Sequence, residues 1–327
     1  MKYGWLWLLA LFVTAAAVFS PGASFAWPES SSFFTPQGPI AQAEKDHFLQ
    51  TAAITMIAVL PVLLLVPLIL WRYRYGNRKA SYRPKWEFSG PLDLLMWGVP
   101  IAIVAILSVE LWQETVSLDP YRPLPSEKAP LEIQVVGLDW KWLFIYPEQG
   151  IASVGEMGFP ADRPVKLSLT SDTVMQSFMI GALAGQIYVM PGMQTQLQLM
   201  ADAPGLFEGE NTQFNGAGFP MQRFRAVAQT DEGFANWVAE VKAQGVPLDP
   251  QTYGKLAVSS TPAEVHRTLA SPQMPADAVW FSPVAPDLFE RVLRRYHQGS
   301  ALEPGGQPGS FLHDPDTLSQ SLPETTQ

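Results

Sequence analysis

Two long apolar segments constrain this chain more than any other feature of its sequence. Residues 48–71 carry no charged side chain, and at about 1.5 Å per residue a helix of this length spans the hydrocarbon core of a bilayer. Residues 92–112 form a second such segment with an uncharged centre. Pro61 and Pro67 would break a helix in water, but they are tolerated in lipid when neighbouring helices satisfy the freed carbonyls. We therefore predict a two-helix transmembrane hairpin that packs against other protein.

The loop between these segments, residues 72–91, indicates how the hairpin is oriented. It contains one acidic side chain and six basic ones, which are Arg72, Arg74, Arg78, Lys79, Arg83 and Lys85. Basic loops are retained on the cytoplasmic side of a membrane. The sequence therefore predicts a protein of the bacterial inner (plasma) membrane. The lipid bilayer is an expected partner, and everything after about residue 118 is expected in the periplasm.

The beginning of the chain has the features of an export signal. Lys2 precedes an apolar run, a Pro-Gly break follows, and Ser24-Phe25-Ala26 has the small-x-small pattern of a cleavage site. We predict a signal peptide at residues 1–26 and a short periplasmic segment at residues 27–47. The alternative is an uncleaved first membrane helix, although the apolar run is short for a span.

Beyond the hairpin the composition changes to that of a β-domain. A Pro-rich linker at residues 119–130 leads into short runs of β-branched and aromatic residues with turn residues between them. These runs predict a small antiparallel sandwich or barrel over residues 131–230. Residues 231–297 predict a small helical region. Residues 298–327 are rich in Gly, Pro and Ser, and we expect them to be disordered.

One predicted strand carries aromatic side chains at alternate positions. Trp140, Trp142, Phe144 and Tyr146 share one face of an extended segment, because side chains alternate along a strand. This pattern is typical of packing in a core, which is the interpretation we favour. The alternative is an aromatic patch that faces a partner or a redox centre.

Residues that could carry chemistry are scarce. The chain contains no cysteine, which excludes disulfides, thiolate metal sites and iron–sulfur clusters. Its four histidines are far apart in sequence, and no Ser/His/Asp, P-loop or dinucleotide motif is present. A net charge of −9 argues against a nucleic-acid partner. We therefore expect no catalytic residue and no bound metal in this chain.

A Gly-rich loop at residues 209–222, GENTQFNGAGFPMQ, has the character of a metal-binding loop without its ligands, since it holds no Cys, His or Asp. This loop, the runs DWKWLFIYPEQGIA, SDTVMQSFMI and QIYVMPGMQTQLQL, and the order of the segments resemble subunit II of the haem–copper terminal oxidases, specifically of the bo-type ubiquinol oxidases. The resemblance covers roughly residues 41–297. It implies a membrane-anchored mixed protein: a two-helix transmembrane hairpin, a periplasmic cupredoxin-like β-sandwich or barrel, and a small C-terminal helical region.

The cytochrome c oxidase branch of this family holds a two-copper centre, with ligands in the pattern His…Cys-x-Glu-x-Cys-x3-His-x2-Met. The resemblance places that pattern at Gln176, Asn211, Gln213, Asn215, Phe219 and Gln222, with Met221 one residue before the last position. Carboxamides and a phenyl ring supply neither the thiolate bridges nor the imidazoles that a copper pair requires. We therefore expect these positions to be degenerate, with no metal bound.

The resemblance implies a subunit without an active site of its own. Its enzyme would oxidise ubiquinol with O₂, form water and move protons across the membrane. Electrons would pass from quinol to haem in subunit I, so haems and copper are expected there and docking of cytochrome c is not. Subunit I and the other oxidase subunits would be the partners that this chain docks on and stabilises. The alternative is a metal-free, membrane-anchored periplasmic receptor or scaffold.

Two further roles are implied by the resemblance. Asp93 matches a family Glu near the cytoplasmic mouth of a proton channel, which makes it a candidate for proton entry. The alternative is a simple charge at a helix N-terminus. Trp140, Trp142 and Tyr146 are expected to be interface anchors toward subunit I.

Overall fold

Two long helices form the first part of the structure. The computed structural model describes residues 33–78, 80, 85–297 and 307, so the predicted signal peptide lies outside the described residues, as does the predicted tail except for residue 307. Helices α1 (Pro39–Arg72) and α2 (Gly90–Ser117) are both long and apolar enough to cross a membrane. At 1.5 Å per residue they measure about 51 and 42 Å, so each extends beyond its predicted span.

The outer domain is a sandwich of two sheets, as predicted. Its strands are β1 (Leu131–Leu138), β2 (Lys141–Tyr146), β3 (Ile151–Val154), β4 (Glu156–Pro160), β5 (Val165–Ser171), β6 (Gln176–Ile180), β7 (Ala184–Val189), β8 (Thr195–Leu199), β9 (Gly205–Asn211), β10 (Arg223–Gln229), β11 (Val246–Leu248) and β12 (Val279–Val284). One sheet has the strand order β11-β12-β3-β2-β1-β5-β8 and the other has the order β4-β10-β9-β6-β7.

The prediction of purely antiparallel sheets is wrong. β1 runs parallel to β5, and β4 runs parallel to β10. The reason lies in the connections. After β3 the chain crosses to the second sheet and forms β4, and it then returns to the first sheet as β5, beside β1. Such mixed pairing depends on the path of the chain, which alternation within a strand does not reveal.

Aromatic rings fill the space between the two sheets. Trp142 and Phe178 meet edge to face with their centroids 5.2 Å apart, and Phe144 lies 4.9 Å from Phe224. Phe178 and Phe224 stack at 5.2 Å. Each such pair adds about 0.5–1.5 kcal/mol beyond the burial of its area, so this layer is a major source of stability close to the loop at 209–222.

Residues 231–297 contain the predicted helices and also two strands that the sequence analysis missed. The helices are α3 (Asp231–Gln244), α4 (Pro250–Ala257), α5 (Pro262–Leu269) and α6 (Leu288–Arg295). β12 pairs with β3, and β11 pairs with β12, so the C-terminal region extends the larger sheet. Its core residues belong to the same hydrophobic cluster as those of the sandwich.

A buried lysine joins this C-terminal region to the sandwich. Lys141 is fully buried, and its Nζ donates to the carbonyls of Val258 (2.8 Å), Ser260 (3.1 Å) and Asp139 (3.0 Å). Burial lowers the pKa of Lys141 to about 7, an effect that the Asp139 and Glu264 carboxylates oppose. The segment after α4 therefore supplies most of the polar surroundings of this ammonium group.

A buried aspartate makes a second connection of the same kind. Asp172 accepts hydrogen bonds from Arg295 Nη1 (2.8 Å), Tyr253 OH (2.6 Å) and Tyr296 OH (2.8 Å). Asp172 and Arg295 are both fully buried. Desolvation raises the pKa of the Asp172 carboxyl, and the Arg295 guanidinium opposes that shift. Because all three donors come from residues 231–297, the sandwich and this region form one folded unit.

Candidate functional site

The predicted ligand positions meet at one end of the sandwich. Gln176 begins β6, and Asn211 ends β9, which pairs with β6. The chain then turns through residues 212–218 and a short 3₁₀ turn (Phe219–Met221) before Gln222 leads into β10. The pairing of β6, β9 and β10 in one sheet is what brings these sequence positions together.

Gln222 lies at the centre of a cluster of four carboxamides. Its Nε2 donates to Gln176 Oε1 at 2.6 Å, and its Oε1 accepts from Asn211 Nδ2 at 3.0 Å and from Asn215 Nδ2 at 2.7 Å. Gln176 and Gln222 are fully buried, and Asn211 is nearly so. We call these four residues the carboxamide cluster. Three hydrogen bonds join the four side chains, and among the described residues the buried Asn215 Oδ1 has no hydrogen-bond partner.

Surrounding residues add further hydrogen bonds to Gln176 and Asn211. Gln176 Nε2 donates to the Leu138 carbonyl at 3.2 Å and to Thr173 Oγ1 at 3.0 Å. Asn211 Oδ1 accepts from the amides of Ser177 (2.9 Å) and Gln213 (3.0 Å). The cluster is thus tied to β1, to β6 and to its own loop, so hydrogen bonds hold the loop where coordinate bonds would hold a metal loop.

Trp140 explains why the loop is rich in glycine. Its indole lies against the loop, and its Nε1 donates to the Asn215 carbonyl at 3.2 Å. A Cβ at Gly218 would overlap the indole ring, and Gly216 has a φ of +114°, which favours glycine. Trp140 itself adopts a left-handed φ of 65°, a conformation that is uncommon for a large side chain. The loop and the turn at Trp140 are therefore complementary in shape.

The remaining predicted positions lie around the cluster without joining it. Gln213 and Phe219 are half-buried, and the Phe219 ring lies 5.7 Å from that of Phe214. Met221 is 62% exposed, whereas Gln222 is fully buried. Gln222, and not Met221, therefore occupies the inward position at the end of the loop.

The chemistry of these residues does not fit a copper centre. Within residues 33–78, 80, 85–297 and 307, no group of three or more His, Cys, Asp or Glu side chains is placed to hold a metal ion. Amide nitrogens and oxygens that already bond to one another offer neither thiolates nor imidazoles, the ligands that copper prefers. Hydrogen bonds among these side chains can hold the loop backbone in place, but these residues offer no group that transfers electrons.

The prediction that Trp142 and Tyr146 are interface anchors is wrong. Both side chains have 0% exposure, because they point between the sheets, where Trp142 meets Phe178 and the Tyr146 hydroxyl donates to the Gly158 carbonyl at 2.9 Å. Alternation along a strand could not decide between a core face and an outer face. Trp140 is half-buried, and its role toward a partner stays a prediction.

Asp93 lies in the helical hairpin and not in the outer domain that holds the carboxamide cluster. It is exposed in the first turn of α2, at the end of that helix next to the basic loop, and its backbone amide donates to the Ser89 carbonyl at 2.9 Å. The helix N-terminus favours a negative charge at this position.

Sequence reasoning missed an apolar surface around the cluster. Val174 and Met175 precede Gln176 and are exposed, and Phe214 and Met221 on the loop are 71% and 62% exposed. We call these four residues the loop-end patch. Met175, Phe214 and Met221 are each next in sequence to a member of the carboxamide cluster, and exposed apolar patches mark interaction surfaces. The signal was present in the sequence as large apolar residues inside polar turn segments.

No protein-family model matches the sequence. The chain is 42% identical over 271 residues to the cytochrome bo(3) ubiquinol oxidase subunit 2 of Pseudomonas aeruginosa, which covers 83% of this chain and 78% of that protein. It is 40% identical over 271 residues to the ubiquinol oxidase subunit 2 of Acetobacter aceti, covering 82% and 83%. Among solved structures, the periplasmic domain of cytochrome oxidase subunit II of Bradyrhizobium japonicum matches with 25% identity and a TM-score of 0.33, covering 35% of this chain and 94% of that one.

Proposed function

The chain belongs to the subunit II family of haem–copper quinol oxidases, and from this premise we propose that it is the non-catalytic subunit II of a proton-translocating ubiquinol oxidase. The relatives from Pseudomonas aeruginosa and Acetobacter aceti carry the name ubiquinol oxidase subunit 2. The reaction is the oxidation of ubiquinol by O₂ to water. The haems and copper that perform it belong to subunit I.

The carboxamide cluster is the observation that carries this proposal. Four of the six positions that would hold copper in the cytochrome c oxidase branch are carboxamides that bond to one another. A domain of this composition has no group that can take an electron from a soluble cytochrome c. Electrons therefore enter from a membrane quinol at subunit I, and this chain contributes structure to the complex.

Two surfaces support docking on subunit I. In the isolated chain only Ala41 of α1 and Ile103 of α2 are buried, and the internal prolines of α1 require neighbours that satisfy the freed carbonyls. The loop-end patch adds an apolar surface on the outer domain. The hairpin anchors the subunit in the inner membrane, and the loop-end patch packs against subunit I.

Purification of the whole complex from native membranes tests the proposal. We expect haem-containing partner subunits to accompany this chain, and the complex to oxidise ubiquinol but not reduced cytochrome c. A preparation that contains this chain without haem proteins would favour the receptor or scaffold alternative. Oxidation of cytochrome c at a rate comparable with that of ubiquinol would contradict the loss of the copper entry site.

A further inference from the structure

Three phenyl rings form a cluster where the chain enters α1. The ring centroid of Phe33 lies 5.5 Å from that of Phe34 and 5.6 Å from that of Phe48, and Phe34 lies 6.2 Å from Phe48. Phe34 and Phe48 are 59% and 50% exposed. We call these three residues the entry cluster. Apolar rings that adjoin one another and stay exposed mark a surface that meets a membrane or another protein.

The apolar span of α1 indicates the depth at which the entry cluster lies. Lys45, Asp46 and His47 immediately precede Phe48, and residues 48–71 carry no charge. The change from charged to uncharged residues predicts that the hydrocarbon core begins at Phe48. Because the rings of Phe33 and Phe34 contact the ring of Phe48, they lie at the same depth.

The chain before α1 reaches this depth by running back along the first turns of the helix. The helix begins at Pro39, nine residues before Phe48, which is about 13.5 Å along the helix axis. Residues 33–38 precede the helix, and six residues can cover up to about 20 Å when extended. The segment at 33–38 therefore descends from the start of α1 toward the membrane.

The outer domain holds the upper end of this segment. The amide of Gln37 donates to the Ala182 carbonyl at 2.8 Å, and the carbonyl of Gln37 accepts from the Asp202 amide at 2.9 Å. Ala41, in the first turn of α1, is fully buried, and its amide donates to the Leu183 carbonyl at 3.3 Å. The segment is thus fixed to the sandwich at one end and packed against Phe48 at the other.

We propose that Phe33 and Phe34 insert into the lipid interface of the leaflet from which the outer domain emerges. Residues 33–43 carry no charged side chain that would oppose this contact. The backbone at 33–38 is not helical, which keeps it out of the hydrocarbon core. Its rings lie at the boundary between headgroups and acyl chains, where apolar side chains of interfacial segments are buried.

The entry cluster is then a third membrane contact, besides the two helices. Because Gln37 and Ala41 are bonded to the sandwich, insertion of the rings fixes the height of the outer domain above the membrane. The proposal rests on the membrane placement of α1, and it does not depend on the reaction that the complex catalyses.

Photochemical crosslinking in the assembled oxidase identifies what the entry cluster contacts. Phe34 is replaced by p-benzoylphenylalanine, native membranes are irradiated, and the mass of this chain is measured. We expect an adduct with a phospholipid. A crosslink to another subunit would overturn the proposal, because the cluster would then be a protein interface. Absence of a lipid adduct would also overturn it.

The accessibility of a single thiol provides a second measurement. This chain lacks cysteine, so Thr35→Cys gives it one thiol beside the cluster, which is treated with a membrane-impermeant maleimide in the assembled oxidase. Adding Phe33→Ser/Phe34→Ser should raise the labelling rate at least about ten-fold, because two phenyl rings lose their burial in lipid. Phe33→Leu/Phe34→Leu, which keeps both side chains apolar, should leave the rate unchanged. Equal rates in the serine and leucine variants would contradict the insertion.

A matched control keeps this proposal distinguishable from the proposed function. Phe214 belongs to the loop-end patch and is 71% exposed. With p-benzoylphenylalanine in its place, it should crosslink to subunit I and not to lipid. Loss of that crosslink, or of ubiquinol oxidation by the unmodified complex, would contradict the proposed function, while the adduct at position 34 would still report on the entry cluster.

Discussion

At the scale of single residues, Gln222 is the side chain that holds the carboxamide cluster together. It accepts from two Asn side chains and donates to Gln176, and no part of it reaches solvent. A carboxamide can do this because it carries both donors and acceptors. A thioether at the same position would remove the three hydrogen bonds that Gln222 makes with Gln176, Asn211 and Asn215. The loop therefore keeps its path through hydrogen bonds.

Replacement of Gln222 with alanine tests this account. We expect Gln222→Ala to lower the free energy of unfolding of the outer domain by about 2–4 kcal/mol, because it leaves buried amide groups unsatisfied. Urea unfolding of a chain covering residues 119–297 measures the change. Gln213→Ala, in the same loop but half-buried, should cost less than about 0.5 kcal/mol. Equal losses in the two variants would show that the cluster has no special role.

Asp93 is the second residue whose role can be tested on its own. If Asp93 admits protons to subunit I, Asp93→Asn should lower the turnover of the assembled oxidase at least about ten-fold, since an amide cannot exchange a proton. Haem content should stay full. Glu87→Gln, an exposed change in the loop just before α2, is the matched control. Normal turnover of Asp93→Asn would leave only a helix N-terminal charge at this position.

At the scale of elements, the loop at 209–222 and strand β6 bring four of the six predicted ligand positions together. The side chains at 176, 211, 215 and 222 already point toward one another. Their convergence is set by the pairing of β6, β9 and β10 and by the contact of the loop with Trp140, neither of which requires a metal.

Restoring the ligands should therefore restore copper binding. The variant carries Gln176→His, Asn211→Cys, Asn215→Cys, Phe219→His and Gln222→Met. Bridging thiolates give copper intense visible absorption, so the domain should become coloured when copper is added. A variant with the same changes except Asn211→Cys, and hence a single thiolate, should lack the two-copper spectrum. A folded five-site variant that takes up no copper would contradict the family relationship of the loop.

The C-terminal elements are required by the sandwich for a different reason. Lys141 and Asp172 are buried in the sandwich, and most of their partners come from residues 253–296. A buried charge that loses its partner costs about 3–5 kcal/mol, and two such losses approach the total stability of a typical domain.

Truncation tests this dependence. A chain covering residues 119–244 should fail to fold, whereas a chain covering residues 119–297 should fold cooperatively, as measured by circular dichroism and by resistance to proteolysis. In the longer chain, Lys141→Met should be tolerated better than Lys141→Ala, because methionine fills the buried volume without a charge. A stable, protease-resistant fragment ending at residue 244 would show that the sandwich is independent.

At the scale of the whole molecule, the distribution of charge predicts which side of the membrane the outer domain occupies. The loop between α1 and α2 is basic, and the two long helices that flank it place both of their other ends on the opposite side. From this arrangement we predict that the sandwich and the loop-end patch lie in the periplasm.

Reporter fusions test the orientation. A reporter that is active only in the periplasm should be active when fused after Leu131 and silent when fused near residue 79. Replacing the six basic residues of the loop by Gln should reduce the difference between the two fusions. Activity near residue 79 with silence after Leu131 would reverse the topology and would also contradict the export signal.

The sequence by itself determined the two long apolar helices, the two-layer β-domain and the absence of Cys and His from the predicted ligand positions. These features depend on the composition of single segments, on alternation within a strand, and on which residues stand at the ligand positions. Apolar length and local side-chain chemistry are readable without knowing what lies beside a segment.

Only the tertiary structure decided which way several side chains face. Trp142 and Tyr146 point into the core and not toward a partner, and Gln222 rather than Met221 enters the cluster. Residues 231–297 complete the sandwich through Lys141 and Arg295, whose hydrogen bonds join positions 119 and 123 residues apart. Such contacts arise from the pairing of distant strands and helices, and local patterns carry no information about which distant segment will cover a given face.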